Sequence, residues 1–93
     1  MNKIEIGNLV ISKAGRDCGE LYMVYSIQGE NIILVNGQAK KLNHPKIKNS
    51  KHVIVTNLLL SAIKEKIANK KKIFDSEIYS AIKKCAEALD KNI

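Results

Sequence analysis

The chain has 93 residues and a formal net charge of +7, from 16 Lys and Arg against 9 Asp and Glu. That length suits one small domain, or a small domain with an appendage, and 45% apolar residues suffice for a packed core. No apolar run approaches the ~20 residues that span a bilayer, and Cys18 and Cys85 are too few and too far apart for a disulfide framework.

Met1–Ile6 contains no continuous apolar segment of the signal-peptide kind. A cytoplasmic protein with free thiols and no membrane partner is therefore expected. Aromatic residues are limited to Tyr22, Tyr25, Phe74 and Tyr79, so the core must consist mainly of Ile, Leu and Val.

The first half reads as short strands punctuated by glycine turns. Asn8–Lys13 and Glu20–Ile27 are rich in residues that favour a pleated surface. Gln28-Gly29-Glu30 is a turn, and Asn31–Val35 is an apolar run too short for a helix. Asn36-Gly37 is the strongest hairpin signal, because both central residues of a type I′ turn need positive φ. It is expected to fold Ile32–Val35 back onto Gln38–Leu42. His52–Val55 reads as the last strand. Five short strands with tight connections predict a small β-barrel over residues 1–56.

From residue 57 the period changes to that of a helix. Leu59, Leu60, Ile63 and Ile67 share one stripe, and Ile78, Ala81, Ile82, Cys85, Ala86 and Leu89 form a second. Asp75 is placed to cap the second helix, with Glu77 in its first turn. Phe74 is placed to staple onto Tyr79. Asn69 can end the first helix in a left-handed conformation, and Lys70-Lys71-Lys72 links the two. The predicted fold is thus mainly β with a C-terminal α part: a barrel over 1–56 and a two-helix extension over 57–93.

Charge is concentrated in the middle of the chain. Residues 37–51 contain Lys40, Lys41, Lys46, Lys48 and Lys51 and no acid. A cationic patch of this kind points to a polyanion, most commonly nucleic acid. Asn43, His44, Asn49 and His52 add donors that can reach sugar hydroxyls and bases. Pro45 holds the lysines at a fixed spacing, and none of them is expected to enter the core. The alternative reading of any charge run is a solvated loop. That reading is preferred for Lys64–Lys72, as a helix face and turn.

A second block, Gly7–Glu20, opens on a glycine and passes through a strand. It then enters a loop with Gly15 and Gly19 four apart before the next strand. Both glycines can take positive φ and let a phosphate approach the backbone. Lys13 and Arg16 flank them, and Arg16 can bond a phosphate bidentately or stack on a base. The neighbouring Asp17 could instead pair with Arg16 and orient it.

This layout resembles the KOW motif of ribosomal proteins and of transcription elongation factors of the NusG type. The closer resemblance is to short bacterial KOW-domain RNA-binding proteins, related to KOW-containing large-subunit ribosomal proteins. Val10–Asp17 with Gly19, and Asn43–His52, carry it, and with the strands between them it covers residues 5–56. It implies an SH3-like barrel that binds structured RNA, typically ribosomal RNA, in the ribosome or in translation; the helical tail from Asn57 is not covered by the motif. Ribosomal proteins are a further implied partner. Cys18 departs from the pattern, standing where a polar or basic residue is expected.

The expected RNA-binding residues are Lys13, Arg16, Lys40, Lys41, Asn43, His44, Lys46, Lys48, Asn49, Lys51 and His52. His44, His52, Cys18 and Cys85 contain no ligand pair at zinc-finger spacing. No catalytic carboxylate pair, nucleophile triad or phosphate-binding glycine signature is present, so neither an enzyme nor a bound cofactor is expected. The rival reading is a protein-interaction module of a transcription or translation factor, with the helices as a docking or dimer surface.

Overall fold

The structure, a computed structural model, describes residues 3–91, with side chains as far as residue 88. Leu89, the last expected position of the second helical stripe, and the opening Met1-Asn2 lie outside the described side chains. Five strands form one antiparallel sheet: β1 (Asn8–Ser12), β2 (Leu21–Gln28), β3 (Asn31–Val35), β4 (Lys46–Asn49) and β5 (Val53–Leu59). Their order is β4-β3-β2-β1-β5. Two helices follow, α1 (Ser61–Ala68) and α2 (Asp75–Lys91). Among the described residues no helix is long and apolar enough to cross a membrane.

β4 and β5 occupy opposite edges and are not paired with each other, so the ladder is open where a closed barrel was expected. Yet only Ser50–His52, a 3-10 turn, joins them. In a flat sheet those edges would stand roughly 19 Å apart, at about 4.8 Å per strand. A 3-10 turn rises only about 2 Å per residue. The sheet must therefore curl until its edges approach.

Its two faces carry different cores. Leu9, Met23 and Val35 face the helices and join Leu60, Ile63, Ile78 and Ile82 in one buried cluster. Val10, Tyr22, Val24, Ile32, Leu34 and Val53 form a second cluster on the concave face. Among the described residues, none from a helix belongs to that cluster. Its burial comes from the curl of the sheet and from Ile4 and Val55.

Several local expectations change. Asn36-Gly37 does not form a hairpin onto Gln38–Leu42, and β3 pairs instead with Lys46–Asn49. Only Gly37 of the two has positive φ. The Asn36 side-chain oxygen accepts from the backbone N–H of Gln38 at 3.0 Å and of Lys40 at 2.9 Å, which closes a compact loop. A Cβ on Gly37 would collide with the Asp75 carbonyl oxygen and lie 2.8 Å from the Tyr79 nitrogen. The first turn of α2 is thus packed against this loop, and a tertiary contact has overridden the hairpin signal.

The last strand starts at Val53, not His52, and runs to Leu59, past the expected boundary at 56. Thr56–Leu58 stand opposite Leu9 alone, a bulge. Asn8, nearly buried, closes it by donating to the carbonyls of Thr56 at 3.1 Å and Leu58 at 3.0 Å. Leu59 consequently belongs to β5, while Leu60 starts the helix stripe.

Asn69 does not take the left-handed conformation. Lys70 does, at φ 56°. The Lys70 and Lys71 N–H groups donate to Ile67 and Lys66 carbonyls, the paired bonds of a Schellman ending. Asp75 does not cap its own helix, because its Oδ1 accepts from the Leu42 N–H at 2.8 Å. Glu77 reaches back to the Phe74 N–H at 3.3 Å. That makes Phe74 the cap residue, largely exposed. Ile73 and Ile78, not Phe74 and Tyr79, occupy the staple positions, and both belong to the helix-side cluster. Cys85 packs against the same cluster.

Candidate nucleic-acid interface

Two segments far apart in sequence meet at Asp17. Lys46 and Lys48 are alternate residues of β4, so both side chains leave the same face while Ile47 leaves the other. Lys48 Nζ donates to Asp17 Oδ1 at 2.9 Å and to the Ala14 carbonyl at 2.9 Å. Lys46 Nζ lies 2.9 Å from Asp17 Oδ2. Ser12 Oγ donates to Oδ1 and Tyr22 OH to Oδ2, each at 2.9 Å. Both carboxylate oxygens are therefore doubly bonded by donors, which fills the group's acceptor capacity.

The electrostatics follow from this geometry. Burial alone would raise the Asp17 pKa, but the donors from Lys48, Lys46, Ser12 and Tyr22 outweigh it and hold the carboxyl well below the usual carboxylate range. Burial pushes the Tyr22 phenol up, and the Asp17 charge pushes it further. Tyr22 thus remains a donor at any working pH.

This clasp fixes the β1–β2 loop to β4 across the curled sheet, and it alters the expected site. Lys46 and Lys48 do have an acidic partner, one supplied by the fold rather than by sequence neighbours. Lys48 is only 10% exposed. Its ammonium is a structural ion and not a free phosphate contact, contrary to the expectation that these lysines stay out of the interior. Lys46 keeps 29% exposure and its outer side. Asp17 does not pair with Arg16, which makes no ion pair among the described residues.

The other expected residues divide into groups. Arg16, Lys40 and Lys46 line one open depression of about 390 Å³, together with Asp17, Tyr22 and Gln38. Lys13 and His52 are neighbours through the Lys13 N–H and His52 carbonyl bond of 3.0 Å, and both side chains are exposed. Lys51 is exposed beside them in the 3-10 turn, and its own N–H donates to Asn49 Oδ1 at 3.0 Å, while the Ser50 N–H donates to the Glu30 carbonyl. The Asn49 side chain is thereby committed to the turn. Lys41, Asn43 and His44 form an exposed turn closed by a Lys41–His44 bridge. Gly15 and Gly19 both have positive φ. Cys18 is exposed in the same loop.

The basic cluster outside this surface is partly neutralised. Lys64 pairs with Glu5 at 3.1 Å and Lys66 with Glu77 at 3.0 Å, while Lys72 lies 5.2 Å above the Phe74 ring. The Arg16 loop and the Lys46–Lys51 connection do lie together, as one small barrel would require, but sequence reasoning gave Lys46 and Lys48 no acidic partner and did not single out Gln38. One signal was available in the Lys-Ile-Lys alternation, which is that of a strand with one polar face. No protein-family model matches the sequence, and no curated protein matches it either.

Proposed function

We propose that this chain is a non-catalytic RNA-binding domain of KOW type that binds structured RNA, ribosomal RNA in particular, and acts in the ribosome or in translation. The observation that carries the proposal is the meeting of Arg16, Lys40 and Lys46, from three separate segments, around one depression. Phosphates neutralised by lysine supply affinity, and the directed bonds of Arg16 supply orientation. The Asp17 clasp holds the Arg16 loop against β4, so that little ordering is left for binding to do.

An SH3-like barrel is the fold this reading favours. The short link between edge strands and the buried concave cluster support it. Cross-linking in cells, followed by sequencing of the bound RNA, tests the function. Enrichment of ribosomal RNA is expected, and recovery of no RNA above background would overturn the proposal.

A second reading, a protein-docking module in the cytoplasm, draws on two exposed apolar residues on the edge strands. Ile47 on β4 is 64% exposed and Ile54 on β5 is 51% exposed. Under that reading, cross-linking recovers proteins and no RNA.

A further inference from the structure

The depression at Arg16 does not end at the sheet. Glu20, Asn36 and Gln38 also line a second hollow of about 190 Å³, whose far wall is α2, with Tyr79 and Lys83. The two hollows share these three residues as a common wall, and so lie side by side; together they are called the trough. It runs from the β1–β2 loop, over the Asn36–Lys40 loop, to the helical tail. Its far wall is fixed by the fold, because Gly37 abuts the first turn of α2 and Asp75 holds the Leu42 N–H.

The chemistry along the trough is uneven. Arg16 and Lys40 lie at one end and Lys83 at the other, and none of the three makes an ion pair among the described residues. Gln38, exposed between them, offers an amide with both donor and acceptor. Tyr79 is 39% exposed on the helix wall, a large ring left open to solvent. Glu20 is the one acid of the trough outside the clasp.

We infer that this trough is a track for a single-stranded segment of RNA, with a base stacked on Tyr79 and phosphates held by Lys83, Lys40 and Arg16. The inference rests on the RNA reading above and gives the helical tail a part in it. The larger hollow, about 390 Å³, is of a size that takes small-molecule-sized groups, and the smaller one beside Tyr79 leaves room for part of one. A splayed nucleotide fits that scale, whereas a base-paired helix presents only its outer surface. Alternation of cations with an exposed aromatic is the arrangement that single strands use. Gln38 is placed to bond a base edge, and Glu20 to accept from an amino group or to repel a phosphate.

Fluorescence anisotropy with labelled oligouridylate, and with a blunt RNA duplex of the same length, tests this on the full chain. Tyr79→Leu keeps apolar bulk but removes the stacking face. It should weaken oligouridylate binding about tenfold while leaving duplex binding unchanged. Tyr79→Phe should bind both as the parent does. Lys83→Gln changes an exposed side chain with no fold at risk, and should lower the salt slope for oligouridylate by about 0.7. If Lys83→Gln leaves that slope unchanged, or Tyr79→Leu affects strand and duplex equally, the track is refuted while RNA binding stands. If the parent binds neither probe but binds a ribosomal RNA fragment, the track is refuted while RNA binding stands; if it binds none of the three, the RNA reading itself has failed.

Discussion

Asp17→Asn preserves shape and removes the charge on which four donors converge. Lys48, at 10% exposure, would then be an ammonium facing an amide, with only the Ala14 carbonyl left as a strong acceptor. Removing one partner of a buried ion pair costs about 3–5 kcal/mol. Lys46 is partly solvated and recovers some of that, so the lower end, about 3 kcal/mol, applies. For a domain of this size the melting temperature should fall by roughly 15 °C.

The pH dependence has a definite sign. The folded Asp17 carboxyl titrates well below the ordinary value of about 3.9, so the unfolded chain takes up this proton first. The clasp's stability is complete above about pH 5 and is lost as pH falls below about 4. Circular-dichroism melts of parent and Asp17→Asn should therefore differ most near neutrality and converge in acid. A shift under about 3 °C at neutral pH, or a difference that does not narrow in acid, would refute the clasp as a source of stability.

Other substitutions test the remaining elements. Ile82→Asp puts an unpaired charge into the cluster of Leu9, Met23 and Val35 and should cost several kcal/mol; an unchanged melt would mean that α2 does not hold the sheet. Lys70→Gly relieves a left-handed non-glycine residue and should raise stability by about 0.5–1 kcal/mol in urea titrations, and no gain would contradict the helix ending. Replacing Lys46, Lys48 and Lys51 together by Gln should lower stability as well as RNA affinity, because Lys48 belongs to the clasp. Loss of affinity with an unchanged melt would contradict that assignment.

Local patterns made much of the fold legible. Asn31–Val35 has the bounds expected from its short apolar run, and α2 follows its 3.6-residue stripe as far as side chains are described. The failures share a cause. Asn36-Gly37 reads as a hairpin on its own, but α2 packs against Gly37, and a local signal cannot register a partner 38 residues away. Lys46 and Lys48 read as free charge because their partner, Asp17, is distant in sequence. At the candidate site the cationic side chains were legible as a composition. Their division into structural ions and exposed ones was set by curvature, which no period in the sequence encodes. Tyr79 and Lys83 were legible only as positions on a helix, since their place beside Gln38 depends on how that helix docks.

If RNA is recognised electrostatically by the surface around Arg16, as proposed, the salt dependence of binding reports it most directly. Binding of a ribosomal RNA fragment should be followed from low to physiological salt, for the parent and for Arg16→Ala. Three single-strand phosphates, at Arg16, Lys40 and Lys46, give a log–log slope of about −2. Arg16→Ala should reduce both slope and affinity, whereas Lys70→Ala, outside that surface, should change them less. A parent whose affinity is flat across that salt range, or an Arg16→Ala that binds as the parent does, would contradict that proposal.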